Sequence, residues 1–255
     1  MLRKKCWALL FIFLFLPVLR AENPSAANIN VRKIVEKIDR LYRSKTSISE
    51  IEMQIVTPNW ERTLTMKAWT RGLNKTFIRI LLPKKERNVA TLRIDNEMWN
   101  YLPNANKIMK IPPSMMMSSW MGSDFTNDDL VKESSMLEDY LYRLIRPPDA
   151  QEGLLYVEFV PKEDKPIVWA KIIVAAGEAD YIPVWQKYYD DKGVLKRVME
   201  PKNLRQFSGR KIPSVLEVIP QNKPGHKTVI RYREMKFDAE ISEDVFSLRN
   251  LQSKE

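Results

Sequence analysis

A repeated alternation of apolar and polar residues is the feature that most constrains the fold of this chain. Between Arg62 and Thr70, the side chains of Leu64, Met66 and Ala68 alternate with polar, charged or aromatic neighbours, which predicts a strand with one buried face. Similar segments are Ser47–Val56, Thr76–Leu82 and Val89–Ile94. The later candidates are Leu154–Val160, Ile167–Ala175, Ile182–Tyr189, Leu195–Met199, Ile212–Pro220 and Lys227–Phe237. Turn residues separate these segments, and no helical pattern lies between the strands from residue 47 to residue 94. The pattern therefore predicts an antiparallel meander rather than a parallel sheet.

Helical patterns are few. Val31–Arg43 has apolar residues at helical spacing with charges opposite, which predicts an amphipathic helix docked on the sheet. Two more helices are expected at Thr126–Ser134 and Met136–Ile145, and Ser242 is expected to cap a short helical turn near the C-terminus.

These elements predict a mainly β fold with α insertions. About ten or eleven antiparallel strands fit a single strongly curved sheet. Such a sheet either closes into a barrel or has its concave face covered. The helices and one methionine-rich segment are the available covers, and an incompletely filled sheet beneath them would enclose an apolar cavity.

The methionine-rich segment lies in the stretch Asp95–Leu130. Two short strands, Glu97–Leu102 and Lys107–Ile111, come first, and Pro112-Pro113 ends the ladder because proline has no N–H to donate. Six large apolar residues then crowd into a span with almost no charge: Met115, Met116, Met117, Trp120, Met121 and Phe125.

Two interpretations of this segment stay open. Methionine is flexible and polarisable, which suits a lid over an apolar ligand or a surface for a partner. The same side chains could instead be a plug that fills the mouth of the sheet. Trp99 and Tyr101 share one face of their strand, and they either line the cavity or pack as ordinary sheet residues.

Residues 1–21 are expected to be a cleaved signal peptide, with residues 22–255 forming one domain. Arg3, Lys4 and Lys5 precede an apolar run that is short for a membrane span, and Leu19-Arg20-Ala21 is an acceptable cleavage site. The alternative is an uncleaved anchor.

Residues 1–21 carry four of the 42 basic residues and none of the 32 acidic ones, so the remainder has a formal charge of +6. The single cysteine, Cys6, would leave with the signal peptide, and no disulfide is expected.

Catalytic and cofactor chemistry find little support in the sequence. The acidic residues Asp124, Asp128 and Asp129 lack the pattern of a calcium loop and are better explained by helix capping, and Thr126 with Asp129 resembles a capping box. His226 is the only histidine, and nothing resembles a nucleophile elbow. No metal, cofactor or enzymatic activity is expected. The basic residues are spread along the chain, so no nucleic acid is expected as a partner either.

A family resemblance rests on two motifs. WNYLPNANKIMKIPPSMMMSSWMGSDFTNDDL at residues 99–130 and ISEDVFSLRNL at residues 241–251 are similar to the outer-membrane lipoprotein-sorting (LolA-like) proteins. More narrowly, the chain resembles a subfamily with a PPSMMM…WMGSDFTNDDL signature.

The resemblance implies a half-open β-barrel whose helices and loops form a lid over a cavity for acyl chains. It implies a monomeric, non-enzymatic periplasmic carrier of lipid or lipoprotein acyl chains towards the outer membrane. The alternative that it implies is a periplasmic accessory protein docked on an inner-membrane exporter of the resistance-nodulation-division type. It also implies an arginine on an early strand that bonds the lid, for which Arg62, Arg71 and Arg79 are the candidates.

Overall fold

The computed structural model describes residues 30–131, 135–163 and 167–253. Within these ranges the fold is mainly β, with one antiparallel sheet of thirteen strands and three short α-helices. The first part of the chain contains α1 (Val31–Asp39), β1 (Thr46–Val56), β2 (Glu61–Arg71), β3 (Lys75–Leu82), β4 (Ala90–Ile94), β5 (Glu97–Leu102) and β6 (Lys107–Lys110). The second part contains α2 (Asn127–Val131), β7 (Tyr140–Ile145), β8 (Leu154–Pro161), β9 (Lys171–Gly177), β10 (Pro183–Tyr189), β11 (Leu195–Phe207), β12 (Arg210–Pro220), β13 (Lys227–Phe237) and α3 (Leu248–Gln252). Among the helices in these ranges, none is long and apolar enough to cross a membrane.

The strand order explains why one connection must cross the sheet. The order is β6-β5-β4-β3-β2-β1-β13-β12-β11-β10-β9-β8-β7, so β1 and β13 join two meanders at the centre. Strands β6 and β7 follow one another in the chain but lie at opposite edges. The connection between these edges passes over one face, on which its first described part, residues 111–131, packs. Residues 111–131 are called the crossing segment below.

The crossing segment packs on the face that we call the inner face. Leu64 and Met66 of β2 are buried there, as the alternation predicts, together with Ile80 of β3. Side chains from the other meander, Leu216 and Ile230, belong to the same cluster. Apolar residues from both halves of the sheet thus meet beneath one cover.

A second cover lies on the outer face of β2 to β5. It is the C-terminal segment, residues 241–252, which places Phe246 and Leu251 against Phe77, Leu92 and Tyr101. Ser242 caps the 3₁₀ turn Glu243–Phe246 by accepting a hydrogen bond from the backbone of Asp244, as predicted. Both faces of this half of the sheet are consequently buried.

The first helix is confirmed but is shorter than predicted. It ends at Asp39 rather than Arg43, and Ile34, Val35 and Ile38 form its buried stripe. The chain beyond the helix turns at Arg40 and leads into β1.

The predicted helix Met136–Ile145 is wrong, because residues 140–145 form the edge strand β7. Leu141 and Ile145 have helical spacing, but Tyr140 and Tyr142 have strand spacing and both rings contact Phe159 of β8. Leu141, expected in the core, is 63% exposed. With β7 included, the sheet has thirteen strands where ten or eleven were expected.

Candidate functional site

The crossing segment has a defined fold of its own. The backbone N–H of Trp120 donates to the carbonyl of Phe125 at 2.8 Å, and that of Asp128 donates to the carbonyl of Met116 at 2.8 Å. An isolated bridge between Ser119 and Thr126 closes the loop between these bonds. The segment therefore satisfies much of its backbone internally.

The six apolar residues of the segment divide into two groups. Trp120 is 4% exposed, and Met116, Met121 and Phe125 are partly buried against the same inner-face cluster. The indole Nε1 of Trp120 donates to the hydroxyl of Thr91 on β4 at 3.2 Å. Met115 and Met117 are instead 48% and 57% exposed. One side of the segment thus faces the sheet, and the other presents two methionines to solvent.

Trp99 and Tyr101 lie away from these residues. Both point to the outer face of β5, where Tyr101 is buried and Trp99 packs beside it under the C-terminal segment. Met98 and Trp120 belong to the inner-face cluster instead. The structure brings Met116, Trp120, Met121 and Phe125 together on the inner face. It leaves Met115 and Met117 exposed and places Trp99 and Tyr101 on the outer face.

An arginine on β2 holds the middle of the crossing segment. The guanidinium of Arg62 donates to the carbonyl of Met121 and forms an ion pair with Glu86 at 3.3 Å. Met121 has a backbone φ of +52°, a left-handed conformation, and Gly122 follows with φ +74°. A Cβ atom at Gly122 would lie 3.3 Å from the Arg62 guanidinium, so glycine leaves room for this contact.

The other two candidate arginines serve the C-terminal segment. Arg71 donates to the carbonyl of Ile241 at 2.5 Å and pairs with Glu243. Arg79 donates to the carbonyl of Asn250 at 2.6 Å. Of the three arginines expected from the resemblance, Arg62 is therefore the one that bonds the crossing segment.

A second arginine holds the far end of the crossing segment, on β11. The guanidinium of Arg197 donates to both carboxylate oxygens of Asp129, at 2.9 and 3.2 Å. Its side chain is only 8% exposed, and the ring centroids of Trp169 and Tyr188 lie 4.6 and 4.5 Å from its central carbon. This is a buried bidentate ion pair flanked by aromatic rings.

Burial and neighbouring groups together set the pKa values of Tyr188 and Arg197. Burial raises the pKa of Tyr188 to about 12, so the phenol stays protonated beside the guanidinium. Burial acts to lower the pKa of Arg197, but its interactions with Asp129 and Tyr188 raise it, and the net pKa lies above the ordinary value. The Arg197 charge is therefore retained in this buried place.

Sequence reasoning missed Arg197, although a signal was present. Arg197 and Met199 are two residues apart on a strand and so share a face, and Met199 packs on the inner-face cluster. A charge pointing inward from an apolar strand needs a partner. Asp129, which the sequence explained by capping alone, provides it.

The acidic residues of the segment have structural partners. Asp129 accepts from the backbone and hydroxyl of Thr126, and its own N–H donates to that hydroxyl at 3.1 Å, which confirms the capping box. Asp124 accepts from the hydroxyl of Thr228 on β13 at 2.8 Å. Within the described residues, no group of three or more His, Cys, Asp or Glu side chains is placed to hold a metal ion.

A cleft adjoins the Arg197–Asp129 pair. It has a volume of about 260 Å³ and lies between α1, α2, β7 and β9–β11. Its apolar lining includes Ile38, Tyr42, Tyr140, Ile172 and Trp169, while Asp129 and Arg197 form part of its wall.

Solved structures define the class of this fold. The chain is similar to a DUF1329 family protein from Desulfovibrio piger, with a TM-score of 0.76, 20% identity and coverage of 86% of this chain and 97% of that chain. It is also similar to a putative outer membrane lipoprotein-sorting protein domain from Vibrio parahaemolyticus, with a TM-score of 0.73, 20% identity and coverage of 87% and 98%. A LolA superfamily protein from Nitrosomonas europaea gives a TM-score of 0.72, 17% identity and coverage of 88% and 100%. The fold is LolA-like.

The family follows from a sequence model. One family model matches residues 72–253, and the chain belongs to that family. The description of the family reads "-like: Uncharacterized protein". A search of the curated proteins gives no match.

Proposed function

We propose that the protein is an exported, non-enzymatic carrier that shields acyl chains of a lipid or lipoprotein between the crossing segment and the inner face of a curved, half-open sheet. In this proposal the crossing segment is a lid. Residues 1–21 act as a cleaved signal peptide, and residues 22–255 work in the periplasm as a monomer. Transport runs towards the outer membrane.

One observation carries the proposal. The side of the crossing segment that faces the sheet is apolar, through Met116, Trp120, Met121 and Phe125, and the sheet beneath it is apolar as well. An acyl chain entering between them would replace apolar contacts with apolar contacts, so the exchange of partners costs little hydrophobic energy. Unbranched methionine side chains can repack around such a chain.

The polar contacts of the lid support the same interpretation. Arg62 holds its middle and Arg197 holds its end, and each arginine reaches it from the sheet. Together with the hydrogen bonds to Thr91 and Thr228, these are discrete polar contacts that opening of the lid would have to release. The similar Vibrio parahaemolyticus structure is described as a putative outer membrane lipoprotein-sorting protein domain, which agrees with a carrier role.

Adjacent methionines provide a matched test. In the Met116→Asp variant a carboxylate would face the inner-face cluster, whereas in the Met117→Asp variant it would point to solvent. We expect Met116→Asp to reduce uptake of a fluorescent fatty acid by about tenfold or more, because burial of a charge disfavours the loaded state. Met117→Asp should bind like the wild-type protein. Circular dichroism and thermal unfolding check that both variants fold.

Equal uptake by the two variants, or no uptake by the wild-type protein, would refute the acyl-carrier proposal. Loss of the folded sheet in Met116→Asp would instead identify the segment as a core plug. In that case, Met116→Gln provides a milder substitution for the same uptake assay.

The second candidate function is an accessory protein for an inner-membrane exporter. The specific observation in its favour is the pair of exposed methionines, Met115 and Met117, on the outer side of the crossing segment. A photo-crosslinking residue at position 117 should then recover an exporter of the resistance-nodulation-division type from intact cells, and the same residue at Lys84, which is exposed elsewhere, should not. Recovery of the same products from both positions would count against this function.

A further inference from the structure

A strongly basic cleft lies at the end of α1, apart from the crossing segment. It has a volume of about 930 Å³ and is bordered by the last turn of α1, the chain leading into β1 and the turn between β11 and β12. Its charged lining consists of Lys37, Arg40, Arg43, Lys45, Arg210 and Lys211, with the carboxylates of Asp180 and Asp238. Six cations therefore face two anions around one opening.

Two of these cations build the wall of the cleft. Arg210 donates to the carbonyl of Arg43 at 2.6 Å, pairs with Asp238 at 3.3 Å and lies 4.1 Å from the ring centroid of Phe237. Arg43 pairs with Asp39 at 2.9 Å. These contacts fix the end of α1 against the β12–β13 side of the sheet. The shape of the cleft is thus set by ordered groups.

The other four cations have no comparable role in building the wall of the cleft. In the described part of the chain, no ion pair or side-chain hydrogen bond holds the ammonium groups of Lys37, Lys45 and Lys211 or the guanidinium of Arg40. Gly209, in the turn beside them, has open space around its Cβ position. These four side chains are exposed at one opening, where together they would attract an anion from solvent.

The helix dipole accounts for only part of this cluster. Cations near the last turn of a helix are stabilised by its carbonyl groups, which explains Lys37 in the last turn of α1 and Arg40 directly after it. Lys45 precedes β1 and Lys211 lies on β12, so neither belongs to that helix end. The cleft therefore gathers cations from the end of α1, from the chain before β1 and from β12.

We propose that this cleft binds the phosphate group of an anionic ligand, either a phospholipid headgroup or a soluble phosphate compound. Phosphate carries more than one negative charge with several acceptor oxygens, which matches a cleft with an excess of four cations and many N–H donors. None of the lining residues belongs to the crossing segment. The proposal therefore goes beyond the acyl-carrier function and does not depend on it.

The test compares two charge-matched double variants of the full chain. Lys45→Glu with Lys211→Glu reverses two cations of the cleft, and Lys84→Glu with Lys85→Glu reverses two exposed cations in the turn after β3. Both changes lower the net charge by the same amount. Binding is measured by calorimetry with inorganic pyrophosphate, and by co-flotation with phosphatidylcholine vesicles that contain or lack phosphatidylglycerol.

We expect the cleft variant to bind about tenfold more weakly or worse, while the control variant stays close to wild type. Binding of pyrophosphate would assign the site to soluble phosphate compounds, and binding of only the phosphatidylglycerol vesicles would assign it to lipid headgroups. Binding of neither by the wild-type protein, or equal losses in both variants, would overturn the proposal. Fatty-acid uptake measured on the same samples reports on the lid separately, and thermal unfolding shows whether the cleft variant folds.

Discussion

Two arginines connect the crossing segment to the sheet, and they are not equivalent. Arg197 is buried, holds both oxygens of Asp129 and is flanked by aromatic rings. Arg62 is partly exposed and reaches a backbone carbonyl, with Glu86 as its ion-pair partner. Because an uncompensated buried charge is costly, the Arg197 contact should contribute to stability, while the Arg62 contact is easier to release.

Removing the charge of Asp129 should therefore destabilise the protein strongly. We expect Asp129→Asn to lower the free energy of unfolding by about 3–5 kcal/mol, since Arg197 would be left buried without its counterion. Urea denaturation followed by circular dichroism measures the change. Glu158→Gln, which breaks the more exposed Arg143–Glu158 pair, is the control and should cost no more than about 1 kcal/mol. A small and equal effect of both substitutions would mean that the buried pair does not hold the segment.

At the scale of elements, the alternating strands could be predicted and several neighbouring segments could not. Strand β5 has the predicted bounds, Glu97–Leu102, and β13 has the predicted bounds, Lys227–Phe237. The sequence patterns of these two strands are either long or sharply bounded by turn residues. Strand β7 was missed because leucines at helical spacing coincide with tyrosines at strand spacing, and its pairing with β8 decides between them.

Long-range partners explain what else was missed. Strand β11 runs to Phe207, beyond the predicted end at Met199, because its backbone continues to pair with β12 past Pro201. The sequence identified the apolar residues of the crossing segment but not which side each would face. Met116 and Met117 are neighbours of the same type, and only the backbone turns between Pro113 and Trp120 separate the sheet-facing from the exposed side chain.

The crossing segment and the C-terminal segment are comparable covers on opposite faces, so their arginines can be compared directly. We expect Arg62→Leu to increase amide hydrogen exchange within residues 118–128, because the Met121 carbonyl loses its donor. Arg71→Leu should instead increase exchange within residues 241–246, since Arg71 bonds the Ile241 carbonyl. Hydrogen exchange read by mass spectrometry resolves the two regions. Faster exchange in both regions for either variant would show that the two covers do not open independently.

For the whole molecule, the strand order makes the crossing segment a necessity of the fold. Two meanders that meet at β1 and β13 leave their free edges, β6 and β7, on opposite sides. The connection has to cover a face, and its sequence makes that cover apolar towards the sheet. The sequence predicted a curved sheet with a cover, but the thirteen-strand order comes from pairings between residues far apart in the chain.

The central claim is that this cover opens to admit an acyl chain. The direct measurement is amide hydrogen exchange of the wild-type protein with and without a fluorescent fatty acid, following the N–H group of Asp124, which donates to the Thr228 hydroxyl of β13 in the closed structure. Our account predicts that fatty-acid binding increases exchange at this amide while the β1–β13 pairing at the sheet centre stays protected. Fatty-acid binding with unchanged exchange in residues 111–131, or no binding at all, would contradict it.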